Sequence, residues 1–326
     1  MTDEPPRILV TGGAGFIGSN YIHLLHSRHG DDLQLLNVDN LTYAGDKRNV
    51  KGPDQARGYR FAKLDICDTA AIDAAVADFQ PDAIVHFAAE SHVDRSIESG
   101  GIFVRTNVDG TFSMLEAARR HDVPRFIHIS TDEVYGSRKM GSFAETDALD
   151  PSSPYSSSKA ASDLLALSFF RTYGLNVSVT RCTNNYGPRQ HPEKLIPKTI
   201  TLAKAGKRIP IYGSGKNVRD WIFVADHNEA VEVIRAKGKA GRVYNIAAGN
   251  ELSNLQVVRA ILAASGRSGD AMEFVKDRPG HDWRYSLDAS KMRRLGWKPR
   301  TKFADGLAAT MRFYGVDARP VGKKPR

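Results

Sequence analysis

The sequence predicts an α/β protein: a Rossmann-type doubly wound parallel sheet carrying a smaller α/β substrate-binding domain. Three observations predict it. A buried-strand run, Arg7-Ile8-Leu9-Val10-Thr11, passes directly into Gly12-Gly13-Ala14-Gly15-Phe16-Ile17-Gly18 and then into an amphipathic stretch over 19–28. Strand-like and helix-like runs then alternate five times up to residue 130. Beyond Pro188 the alternation loosens into shorter runs punctuated by proline.

The first strand is short and apolar, and the glycines after it permit a tight turn. Gly12, Gly15 and Gly18 also let backbone approach a pyrophosphate, which then lies at a helix N-terminus. A second strand over 33–38 ends at Asp39-Asn40. An acid at that point suits the ribose hydroxyls of NAD and repels the 2′-phosphate of NADP. A third strand over 59–64 leads to Asp65-Ile66, and 70–79 makes a helix. The fourth strand, 83–89, finishes in Ala88-Ala89, small enough for a cofactor to lie close. Helix 102–121 and a fifth strand over 125–130 follow.

At the end of that fifth strand stand Thr131, Asp132 and Glu133, where ligands of such sheets bind. After a loop over 149–154 come Tyr155 and Lys159, four apart at the start of a helix running to 173. That spacing puts both on one helical face. An ammonium beside a phenol favours the phenolate, making Tyr155 a usable base near neutrality. A sixth strand over 176–181 leads to Asn184-Asn185. Later runs suggest strands at 209–213, 219–224 and 243–246, with helices to 205, to 236, over 255–264 and over 303–314. The expected division is 1–183 plus about 216–248 for the dinucleotide domain, and about 184–215 plus 249–326 for the substrate domain.

With 326 residues, 41% of them hydrophobic, the chain can bury two cores. No apolar run reaches membrane-spanning length, and residues 1–7 lack the basic-then-apolar order of a signal peptide. Cys67 and Cys182 give neither a disulfide framework nor zinc spacing, so a reduced, cytoplasmic protein without a metal is expected. The net charge of +9 is uneven: −8 over residues 1–150 and +17 over 151–326. A basic second half attracts a phosphorylated ligand. The scattered basic residues and the lack of a nucleic-acid motif argue against nucleic acid.

Eight segments in order, among them TGGAGFIGSN (11–20), FAAESHVDRSI (87–97), STDEVYG (130–136), PYSSSK (154–159) and DRPGHDWRYSLD (277–288), resemble the extended short-chain dehydrogenase/reductases, specifically the dTDP-glucose 4,6-dehydratases. Ser157 departs from the alanine more usual there. The resemblance implies NAD as cofactor, dTDP-glucose as substrate and dTDP-4-keto-6-deoxyglucose as product. In the implied scheme Tyr155 removes the O4 proton and Lys159 holds the ribose and keeps Tyr155 ionised. Thr131 hydrogen-bonds near O4, Glu133 abstracts the C5 proton and a protonated Asp132 releases the 6-hydroxyl. It adds Phe16, Ile17, Thr42, Asp65, Ile66, Ala88, Ala89, Thr106 and Asn185 as cofactor contacts. For the sugar nucleotide it implies Ser91, Asn184, Lys194, Leu195, Pro210, Tyr212, Arg219, Asn254, Arg278 and His281. It also implies a homodimer joined through helices 102–121 and 155–173. Other readings stay open: a 4,6-dehydratase of a UDP- or GDP-sugar, a superfamily epimerase or decarboxylase that would not need Asp132 and Glu133, or an NAD-binding regulator.

Overall fold

Seven parallel strands form the main sheet of the computed structural model, which describes residues 6–277 and 279–318. The strands of the chain are β1 (Arg7–Thr11), β2 (Gln34–Val38), β3 (Tyr59–Ala62), β4 (Ala83–His86), β5 (Phe126–Thr131), β6 (Val177–Cys182), β7 (Asn184–Tyr186), β8 (Ile209–Tyr212), β9 (Val218–Phe223), β10 (Arg242–Ile246), β11 (Glu251–Ser253) and β12 (Met272–Val275). The main sheet runs β10-β6-β5-β4-β1-β2-β3. Its winding direction reverses between β1 and β4, which opens a crevice at the carboxyl ends there. β4, β5 and β6 are buried at every position, as strands covered on both faces must be.

The helices are α1 (Phe16–His29), α2 (Thr69–Phe79), α3 (Val93–Glu98), α4 (Gly101–Val104), α5 (Gly110–Arg120), α6 (Pro154–Tyr173), α7 (Leu195–Lys204), α8 (Val224–Lys237), α9 (Asn254–Ala264), α10 (Ser290–Arg294) and α11 (Phe303–Phe313). On one face of the sheet, Tyr21, Ile22 and Leu25 of α1 and Val231 and Ile234 of α8 pack on Ile8, Val10, Ile127 and Ile246. On the other, Ile72 and Val76 of α2, Met114 and Leu115 of α5, and Ala166 and Phe169 of α6 pack on Leu9, Ile84, Phe126 and Val179. Burial of these large apolar side chains is the main term holding the layers together.

Two departures from the sequence reading matter for the site. The helix expected over 102–121 is broken by a π-helical turn, Arg105–Asp109, between α4 and α5. The buried Asn107 in that turn spends its amide on the backbone N–H (2.8 Å) and C=O (3.0 Å) of Glu90 and on Ser158 Oγ (2.9 Å). Such turns re-aim side chains where an uninterrupted helix could not. The strand expected at 219–224 is β9, which lies in a separate three-stranded sheet, order β11-β9-β7. Trp221 of β9 packs with Tyr186, Val257, Leu307 and Met311 in a core of its own. The chain rejoins the main sheet through α8 and β10. β12, unforeseen, pairs in parallel with β8.

Candidate active site

A cavity of about 370 Å³ opens at the carboxyl ends of β1, β2, β4 and β5, within the range that holds a small molecule. Gly12, Gly15, Phe16, Ile17 and Gly18 form its floor. Gly12 has φ +68°, and a Cβ there would lie 2.7 Å from the Ala88 nitrogen; at Gly18 it would lie 2.3 Å from the Gly12 oxygen. Only glycine therefore leaves this cradle open. The loop stays in place because Asp39, at the end of β2, accepts the Ala14 N–H (2.9 Å) and the Leu41 N–H (2.8 Å). Burial pushes the Asp39 carboxyl above its ordinary value, against those two hydrogen bonds. Asn40, Thr42, Asp65, Ile66, Ala88, Ala89 and Asn185 also line the cavity, as does Thr106, presented by the π-helical turn. Glycine turn, acid after β2 and small residues after β4 together fit a dinucleotide.

The opposite wall comes from β5 and α6. Thr131 ends β5 and caps a short 3₁₀ turn, Asp132–Tyr135; its Oγ1 accepts the Glu133 N–H and donates to Asp132 Oδ1, both at 3.2 Å. The start of α6 is fixed by its own sequence. Ser153 and Ser156 form a reciprocal cap (3.0 and 3.1 Å) with Pro154 in the first turn, which sets Tyr155 just inside the helix. Lys159 follows one turn later, so Thr131, Asp132, Glu133, Tyr155 and Lys159 all face the cavity.

Their electrostatics divide them. Asp132 is 2% exposed and its Oδ2 has no hydrogen-bond partner. Burial first, then the neighbouring Glu133 charge, push its carboxyl well above the usual range, while Arg219 opposes. The surroundings of Asp132 therefore favour its protonated form. The Tyr155 phenol is also raised well above its ordinary value, by burial and then by Glu133, with the nearby Thr131 hydroxyl pulling the other way. This corrects the expectation that Lys159 lowers it by contact. The Lys159 ammonium donates to the Ile129 carbonyl (2.8 Å), and its own value falls to about 8 through burial.

A family model described as GDP-mannose 4,6 dehydratase matches residues 9–310. A dTDP-glucose 4,6-dehydratase from Streptomyces niveus is 52% identical over 314 residues, covering 94% of this chain and 92% of that protein. The chain belongs to the dTDP-glucose 4,6-dehydratase family. The low-salt glycan biosynthesis protein Agl12 of Haloferax volcanii is 51% identical, over 94% of this chain and 98% of its own. Among solved structures, DesIV of Streptomyces venezuelae, a dTDP-glucose 4,6-dehydratase with NAD and TYD bound, superposes with a TM-score of 0.92 at 48% identity, covering 95% of this chain and 97% of that one.

Of the residues this family resemblance assigns to the sugar nucleotide, Ser91, Asn184 and Lys194 line the cavity. Leu195 begins α7, Pro210 and Tyr212 lie on β8, and Asn254 begins α9; these four do not line the cavity. Arg219 on β9 is buried; it donates to the carbonyls of Val218 (2.8 Å) and Asp282 (2.9 Å) and lies 4.2 Å over the Tyr285 ring. His281 pairs with Asp277 at 2.7 Å. Arg278 lies outside the described residues. Sequence reasoning passed over Tyr43, Glu90, Gln190, His191 and Glu193, which also line the cavity. The last three sit in the stretch RQHPEKL (189–195), and their position over the cavity depends on the path of the chain after β7, outside the main sheet.

Proposed function

We propose that this chain is an NAD-dependent dTDP-glucose 4,6-dehydratase, forming dTDP-4-keto-6-deoxyglucose and water. The observation that carries this is the Asp132–Glu133 pair, with Asp132 buried where its protonated form is favoured, set beside Tyr155 on the cavity that the glycine turn lines. Oxidation at C4 alone, as in an epimerase, needs no such pair. Elimination needs one carboxyl to take a proton and another to give one.

Bound NAD supplies the hydride acceptor for C4 and the hydride that later closes the reaction at C6. Gly12, Gly15, Phe16, Ile17, Gly18, Asp39, Thr42, Asp65, Ala88 and Thr106 would hold it. Tyr155, coupled to Thr131, takes the O4 proton. With C4 a ketone, the C5–H is acidic, and Glu133 removes that proton. Asp132 gives its proton to the departing 6-hydroxyl, which leaves as water. C5 is then reprotonated. Ser91, Asn184 and Lys194 face the sugar nucleotide from the cavity wall. Arg219, with Leu195, Pro210, Tyr212 and Asn254, would receive its diphosphate and base, in keeping with the basic second half.

The test is incubation with dTDP-glucose and, separately, with UDP-glucose and GDP-mannose, followed by the alkali-developed absorbance of a ketosugar. Ketosugar from dTDP-glucose alone is expected. Its absence while NAD is bound would sink the assignment, and its appearance only with another nucleotide would overturn the substrate.

We infer three further properties. The dinucleotide domain comprises 1–183 plus α8 and β10, with α10 and Trp297 packed on its core, and the substrate domain is built on the β11-β9-β7 sheet with β8, β12, α7, α9 and α11. A cytoplasmic setting is supported by the unpaired Cys67 and Cys182. A homodimer through α4, α5 and α6 is supported by Ile102, Val104, Phe112, Leu164 and Tyr173, each between 45% and 58% exposed. Among the described residues no helix is long and apolar enough to cross a membrane.

A further inference from the structure

After β7 the chain stays out of the main sheet until α8 and β10. Residues 187–194 instead cross back over the cavity toward the dinucleotide half before α7 begins. Arg189 holds φ +69°, a conformation that side chains other than glycine rarely adopt and that persists where neighbours enforce it. The enforcement is visible. Asn20 of α1 donates to the Pro188 carbonyl (2.9 Å) and accepts from Arg189 (3.1 Å), and Tyr314 donates to the Gln190 carbonyl.

The far end is fastened by charge. The Glu193 carboxylate meets His92 (3.4 Å) and Arg95 (3.6 Å) at the start of α3, and His191 (3.6 Å) on its own segment. Next to it, Lys194 donates to the Ser91 carbonyl (3.0 Å). Arg95 in turn lies 3.8 Å over the ring of Tyr43, whose edge contact with His191 is 5.5 Å between centroids. One carboxylate therefore ties the segment to the loop after β4 and, through Arg95, to the loop after β2. Gln190, His191, Glu193 and Lys194 line the same cavity as the glycine turn.

We propose that residues 188–194 are a strap that retains the cofactor, with Glu193 as its fastening. This rests on the dehydratase reading, and it follows from the chemistry of that reading. The hydride taken from C4 must return to C6 of the same sugar, so a cofactor that left in mid-cycle would strand an oxidised sugar. The fastening is an ionic cluster in which Glu193 and His92 are mostly covered, 16% and 19% exposed, while Arg95 is 47% exposed, so that salt reaches it from one side. Glu193 is a positioning residue here, acting through the strap and not on the reacting atoms.

The test uses the purified holoenzyme loaded with radiolabelled NAD and chased with unlabelled NAD, following loss of label on rapid gel filtration. Glu193→Gln is expected to exchange about tenfold faster than wild type. Arg95→Gln, a change on a half-exposed side chain outside the strap, should act in the same direction. One-molar salt should speed exchange in the wild type and do little more in Glu193→Gln, because the screened pairs are already lost. A charge-swapped Arg95→Glu/Glu193→Arg protein should recover part of the slow exchange, which loss of packing alone would not allow. Exchange in both single variants at the wild-type rate, at low and high salt, would overturn the strap. A wild type that takes up no labelled NAD would overturn the dehydratase reading beneath it.

Discussion

Asp132→Asn isolates the proton that the elimination uses. In the native protein this carboxyl is 2% exposed, Oδ2 is without a partner, and burial together with the Glu133 charge raises its pKa well above the usual range. Unfolded, it returns to about 3.9. Between those two values the native state holds a proton that the unfolded state has lost. Stability therefore falls as pH rises through that window, at about 1.4 kcal/mol per pH unit. For 326 residues the unfolding entropy is about 0.7 kcal/mol/K, so each pH unit moves the melting temperature by about 2 °C. Asparagine keeps the shape and the Thr131 hydrogen bond but has no proton to lose. The wild-type melting temperature minus that of the variant should thus decline by about 2 °C per unit from pH 5 upward, read by circular dichroism on the NAD-loaded proteins. Parallel curves would mean that Asp132 is ionised when folded, and the assigned acid would be wrong. In the same variant, substrate should still reduce bound NAD while ketosugar formation falls about 10² to 10⁴-fold.

Glu133→Gln should likewise reduce bound NAD but stall before elimination, seen as NADH absorbance that persists; unchanged turnover would remove Glu133 from its role. Tyr155→Phe should block the first hydride transfer, so rapid NADH formation in that variant would refute the base. Because burial holds the Tyr155 phenol high, wild-type NADH formation in single-turnover experiments should rise with pH across the neutral range, and a flat profile would contradict the assignment. Gly12→Ala puts a Cβ 2.7 Å from the Ala88 nitrogen at φ +68°; NAD affinity should fall about ten- to a hundredfold by titration calorimetry, and native affinity would disprove the close approach. Light scattering should return the mass of a dimer, and a monomer would contradict the proposed α4–α6 interface.

What the sequence could show was set by how local each feature is. The glycine turn and the acid after β2 belong to one short strand–turn–helix–strand pattern, and that pattern alone places them; the Ser153–Ser156 cap that starts α6 lies in what reads as a plain loop over 149–154. The π-helical turn at Arg105–Asp109 left no such trace, because its cause is a side chain, Asn107, bonded to Glu90 and Ser158 in other elements. β9 reads like any buried strand. Its membership of the smaller sheet is decided by pairing with β7 and by Trp221 packing on a second core. Glu193 was invisible for the same reason: its partners His92 and Arg95 are about a hundred residues away.

The Tyr155–Lys159 pair shows that spacing gives proximity and not direction. Four residues on a helix put both side chains on one face, and both do line the cavity. Yet the ammonium donates to the Ile129 carbonyl, on the strand that ends in Thr131, while Thr131 is the group that works to lower the phenol. Lys159 is therefore anchored to β5 through Ile129. The charge that most raises Tyr155 belongs to Glu133, and Glu133 raises Asp132 as well. One carboxylate thus holds two protons in place, on the phenol and on the acid. Neutralising it, by taking up the C5 proton or by Glu133→Gln, should lower the pKa of both. In the reaction this orders events: proton capture by Glu133 makes Asp132 a stronger acid at the step in which it must release the 6-hydroxyl. A Glu133→Gln protein whose NADH-forming step shows no downward shift in its pH profile would break that coupling.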